Sequence, residues 1–119
     1  MGKQFHSAFA FGSAMLAVVA FGCADAAALT FESIAGKWCT AGGSEQFDRN
    51  NLIAIPASSR ERRVYPIVRY DYTDTQVTVT WKDAKGEDVH TDFGEFSADG
   101  RRMVQLQNEA GPRREFRRC

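Results

Sequence analysis

Two cysteines, Cys39 and Cys119, constrain this chain more tightly than any other residues. A third, Cys23, falls in a segment that reads as an export signal, and once that segment is set aside the remaining pair sits near the two ends of what is left. Side chains in a strand alternate between faces, so Trp38 pointing inward sends Cys39 outward. At the other end, Phe116 and Arg118 pointing inward send Cys119 outward. The parities agree. The sequence therefore predicts that the first and last strands are neighbours, tied by an outer-face disulfide, with Trp38, Phe116 and Arg118 stacked inside.

The N-terminal residues set the compartment. Lys3 gives a positive start, residues 8–22 are small and apolar, and Ala24-Asp25-Ala26 or Ala26-Ala27-Ala28 fits the small-x-small pattern before a cleavage point. The expectation is a signal peptide over 1–26, cut after Ala26 or Ala28, followed by a single β domain over 27–119. The apolar run is short for a bilayer crossing, so the mature chain is expected to carry no transmembrane span. Ala20-Phe21-Gly22 ahead of Cys23 departs from the usual bacterial lipobox, which leaves a lipoprotein anchored at Cys23 as the minor alternative. Export delivers the domain to the periplasm or outside the cell, where disulfides persist. A domain of roughly 90 residues buries only about 60–65% of its unfolded surface, and a thin core of that kind calls for a staple.

The rest of the chain reads as short strands. Thr30 to Ile34 makes a helical turn that Gly36 ends. Lys37–Thr40, Glu45–Arg49 and Leu52–Pro56 follow, with Phe47 inward and a long polar loop over Ala57–Arg63. Val64–Tyr72 is a strand with Pro66 marking an edge or a bulge. Val77, Val79 and Trp81 alternate with Thr78, Thr80 and Lys82, a half-buried strand pattern. Ala84-Lys85-Gly86 suits a three-residue turn with a left-handed glycine, which pairs Trp81 with Val89, Val79 with Thr91, Val77 with Phe93 and Lys82 with Asp88. A two-residue turn would put Asp92 in the core, and burial cost rejects it. Asp99-Gly100 then returns Phe93–Ser97 against Arg102–Gln107, with Phe93 facing Leu106 and Glu95 facing Val104. After Gly111-Pro112 comes Arg113–Cys119. The fold class is all-β: a small antiparallel meander of seven or eight strands, expected to close into a barrel, the arrangement that removes sticky edges.

Gly36-Lys37-Trp38 after a helical turn, with an arginine near the end of the last strand, resembles the pattern of small secreted lipocalin-like, calycin-type barrels. In that pattern the tryptophan closes the barrel base under an arginine. Small bacterial protease-inhibitor barrels are similar, with a Gly-x-Trp start and a disulfide. The resemblance rests on Gly36, Trp38 and Arg118 or Arg117. It implies a barrel whose partner is a protein or a small apolar ligand.

Composition narrows the function. The chain carries 15 Lys and Arg against 15 Asp and Glu, so no net field recruits nucleic acid. His90 reads as an outer-face residue beside Thr80, with no nucleophile signature to make it a catalytic base, and no catalytic residue is assigned. Beyond the expected signal peptide, one histidine and two bonded cysteines supply no zinc set, so no metal or cofactor is expected. Among the carboxylates Glu95 has the parity to point inward, where Arg102 or Arg118 would satisfy it unless a bulge at Gly94 turns it out. Charge is segregated along the chain. Residues 71–99 are strongly acidic, whereas residues 101–119 carry six arginines against Glu109 and Glu115. Cross-strand pairing accounts for this simply; its rival is an anionic-group site at Arg113, Arg114 and Arg117, joined by Arg60, Arg62 and Arg63. The guanidinium fork suits carboxylate and phosphate. The expectation is a non-enzymatic, exported binding protein of the bacterial envelope that engages another protein, inhibitor-like. The alternatives are a lipocalin-like carrier of a small apolar ligand and a lipid-anchored structural protein.

Overall fold

The computed structural model describes residues 28–119, and the expected signal peptide and Cys23 lie outside them. Helix α1 spans Phe31–Ile34, and the strands are β1 Gly36–Thr40, β2 Gly43–Phe47, β3 Asn51–Pro56, β4 Arg63–Tyr72, β5 Val77–Lys82, β6 Asp88–Gly94, β7 Arg102–Gln105 and β8 Arg114–Arg118. Each strand pairs antiparallel with the next and β8 returns to β1, so the eight strands form a closed barrel. This architecture is compatible with a calycin-like barrel. Pro66 lies just before a bulge between Ile67 and Arg69, where the β4–β5 register shifts. Closure leaves no edge strand for it to occupy.

Closure follows the cysteine parity. Trp38 pairs with Arg118 and Cys39 with Arg117 across β1–β8, and Cys39 and Cys119 are bonded with their Cα atoms 5.1 Å apart. The bond joins residues 80 apart in sequence, a constraint on the unfolded chain worth about 4.5 kcal/mol in the loop-entropy description. For so small a core that is a large share of net stability.

Because the strands alternate in direction, the β1–β2, β3–β4, β5–β6 and β7–β8 connections meet at one end of the barrel. The other three connections and α1 meet at the opposite end. That second end is the closed base. Thr30 and Ser33 cap α1 reciprocally, Ile34 is fully buried, and its carbonyl accepts the Trp38 indole N–H at 2.8 Å. Arg118 lies 4.0 Å over the Trp38 ring and donates to the carbonyls of Ala35, Ser33 and Gly100. Gly36 takes φ +100°, and a Cβ there would stand 3.1 Å from the Arg118 guanidinium. Glycine thus satisfies both the left-handed turn into β1 and the approach of the arginine. Above this layer Phe93 meets Phe47 and Phe116 edge to face, with centroids 5.3 and 5.8 Å apart. Val77, Val79 and Met103 complete the core.

The β5–β6 hairpin has the predicted register, from Lys82↔Asp88 to Val77↔Phe93, with Gly86 at φ +81°. The β6–β7 pair differs from expectation by one residue: Phe93 faces Gln105, not Leu106, and Gly94 faces Val104. Glu95 adopts φ +52°, so the chain leaves the ladder one residue early. Glu95 is consequently exposed and takes two hydrogen bonds from Arg113, at 2.7 and 2.9 Å. Its partner is neither Arg102 nor Arg118. Arg63, expected in the loop, begins β4 and pairs with Ala54.

Candidate functional site

Opposite the Trp38 base the barrel is open, and a cavity of about 220 Å³ enters it from that end. Alternation along the strands decides what faces it. Inward positions on β2 and β3 supply Glu45, Phe47, Leu52 and Ala54; β4, β5 and β6 supply Tyr65, Trp81, Thr91 and Phe93; β7 and β8 supply Gln105 and Arg114. Phe47 and Phe93 are the tops of the packed core, so they form the floor. Tyr65 and Trp81 stand as side walls with ring centroids 5.0 Å apart, and the Trp81 indole donates to Thr91 Oγ1 at 3.0 Å.

One wall is polar. Arg114 Nη2 donates to Glu45 Oε2 at 3.0 Å and to Gln105 Oε1 at 2.8 Å. The Glu45 side chain is 16% exposed and that of Arg114 38%, so the acid is the deeper partner. Burial pushes the Glu45 carboxyl up from its ordinary value, and the charge and hydrogen bond of Arg114 pull it part of the way back. Desolvation wins because a single guanidinium N–H does not replace the water a carboxylate loses. Chemically, the cavity can enclose an apolar ring and offer it a carboxylate and a guanidinium at one edge.

The sequence-derived candidates divide around this site. Arg114 lines the cavity rather than an outer patch. Arg60 and Arg62 are exposed on the β3–β4 connection, with Arg63 exposed at the start of β4, all at the open end. Arg60 takes φ +59°, a left-handed conformation uncommon for a residue with a Cβ, held by its N–H donating to Pro56 O at 3.0 Å. Arg63 lies 3.9 Å from Glu61 in a solvated contact. Arg113 is committed to Glu95 on the outer surface. Arg117 is exposed opposite Arg102, lining a groove with Cys39, Thr40 and Ala41. The six arginines therefore do not form one patch. His90 bonds Thr80 Oγ1 through Nδ1 at 2.9 Å, away from the cavity lining.

Glu45, Tyr65 and Gln105 were not singled out from sequence. Glu45 was legible: Phe47 inward on a strand places Glu45 inward too, just as Phe116 inward places Arg114 inward. Gln105 was hidden by the one-residue register error that gave its place to Leu106.

Among the described residues no group of three or more His, Cys, Asp or Glu side chains is arranged to hold a metal ion, and no helix is long and apolar enough to cross a membrane. The disulfide is consistent with a location outside the cytoplasm. Comparison with protein-family models, with curated proteins and with solved structures found no match. What the fold and the site define is therefore a disulfide-clasped, eight-stranded antiparallel barrel, closed at a Trp38–Arg118 base and open at an aromatic mouth.

Proposed function

We propose that this domain is a non-enzymatic binding protein, exported to the bacterial periplasm or beyond, that captures another protein at the open end of its barrel. It would act as the small bacterial protease-inhibitor barrels do, by presenting a loop on a rigid scaffold. The observation that carries this reading is that the arginine-bearing β3–β4 loop and the cavity lie at the same end. A rigid barrel carrying an exposed, polar loop is the usual way to present binding residues, and arginine is enriched at interface hot spots. The cavity beside the loop gives a partner side chain somewhere to anchor.

A second reading, carriage of a small apolar ligand, is favoured by the aromatic walls of the same cavity. Its volume of about 220 Å³ lies below the roughly 300–1,000 Å³ of pockets that enclose whole ligands, which favours a single side chain as the occupant. The test is affinity capture from envelope extract with the oxidised domain and with an Arg60→Ala, Arg62→Ala, Arg63→Ala variant. These exposed changes should each cost within about 0.5 kcal/mol of stability, so the variant should melt like the parent and recover much less partner. Equal recovery by the variant contradicts the rim-loop reading.

A further inference from the structure

Size limits the occupant of the mouth cavity first. An apolar cavity of about 150 Å³ binds benzene, so about 220 Å³ admits one ring with a substituent and not two rings. The walls then select the ring type. Phe47 and Phe93 below, with Tyr65 and Trp81 at the sides, present faces and edges that an inserted aromatic ring can meet in offset or edge-to-face geometry.

The polar wall selects the substituent. Glu45 and Arg114 neutralise each other, so a charged group would face one of them as a like charge. The Trp81 N–H is already given to Thr91, and the Gln105 amide reaches Pro112 O at 3.4 Å while its oxygen takes Arg114. Among the described residues Glu45 Oε1 accepts no hydrogen bond, and Arg114 donates its two side-chain hydrogen bonds from Nη2 alone. The lining thus retains one carboxylate acceptor and guanidinium donors at the same edge. A hydroxyl answers both, because it donates one hydrogen bond and accepts others.

We infer that the mouth of the barrel is a slot for one neutral phenolic ring, its hydroxyl donating to Glu45 and accepting from Arg114. The assignment of that ring to a tyrosine side chain of the captured protein rests on the partner-capture reading; the slot itself does not. A free phenol carries the same chemistry.

The experiment is an NMR titration of the oxidised domain with p-cresol, toluene and benzoate. p-Cresol should shift the Trp81 indole and Thr91 resonances saturably, with ring contacts to Trp81 and Phe93. Toluene, lacking the hydroxyl, should bind at least about tenfold more weakly, as expected for loss of a hydrogen bond to a charged group. Benzoate should not compete. Glu45→Gln should erase most of the preference for p-cresol over toluene and admit benzoate beside the uncompensated Arg114. Ala54→Leu, which fills the mouth, should abolish p-cresol binding. Equal affinity for toluene and p-cresol overturns the proposal, as does p-cresol binding untouched in a folded Ala54→Leu variant. If either variant fails to fold, ring contacts in the unaltered domain decide: none to Trp81 or Phe93 overturns the slot. Competition by p-cresol against the captured protein identifies the ring as its tyrosine. Capture that persists with the slot saturated assigns the slot to a free phenol, whereas p-cresol binding with no arginine-dependent capture removes the partner reading and keeps the slot.

Discussion

At the scale of single residues, two buried polar contacts divide the interior by purpose. Trp38 is wholly buried, with its N–H spent on Ile34 and its ring under Arg118, so nothing of it remains for a ligand. Trp38→Ala should cost about 3–5 kcal/mol, read as a loss of chemical denaturation stability; an unchanged midpoint would contradict its place in the core. Glu45 is the opposite case, a carboxylate kept short of water at a mouth. Its folded pKa is raised by burial. Stability tied to its protonated form is therefore complete below the unfolded value of about 4.3 and lost as pH rises through the folded one. Glu95 is lowered, first by its hydrogen bond from Arg113, so its contribution is lost instead as pH falls through the folded value. Glu45→Gln should thus gain stability relative to the parent as pH rises above about 4.3. A relative stability that falls with pH would show that Arg114, not burial, dominates Glu45.

At the scale of elements, hairpins with a turn signal and strong alternation were readable. The β5–β6 register followed from a glycine at the left-handed position and from the cost of burying Asp92. The β6–β7 pair slipped by one residue because Glu95 takes a left-handed conformation that residues with a Cβ seldom adopt; Gly94 marked where Glu95 could turn out, but not the shift in pairing that comes with it. The β1–β2 turn shows what a backbone constraint looks like when it is severe. Gly43 has φ +138°, and a Cβ there would stand 2.2 Å from Ile55 O. Gly86, at φ +81°, would meet nothing within 4 Å. Gly43→Ala should therefore destabilise by at least about 1 kcal/mol and by more than Gly86→Ala in parallel thermal melts. Equal effects would mean that β2 and β3 sit farther apart at their upper ends.

At the scale of the whole molecule, the base was legible and the mouth was not. Cysteine parity, Gly36, Trp38 and Arg118 all report on the closed end, because closing a barrel needs specific residue types. The mouth is built from one or two inward positions on each of seven strands, β2 to β8, and their convergence depends on every register being right; one slip displaced Gln105. The arginines divide for a related reason. A shared patch was the rival to simple cross-strand pairing, and alternation sends Arg114 inward and Arg113 to Glu95, leaving Arg60, Arg62 and Arg63 at the rim and Arg117 on the flank. On the proposed function, binding belongs to the open end and stability to the base. Hydrogen exchange of the oxidised domain, alone and with its captured partner, tests this most directly. Exchange should slow in residues 57–65 and in the mouth segments around Glu45, Trp81 and residues 105–114, with α1 and residues 95–101 unchanged. Slowing confined to α1, residues 95–101 and the Cys39–Cys119 face would contradict it.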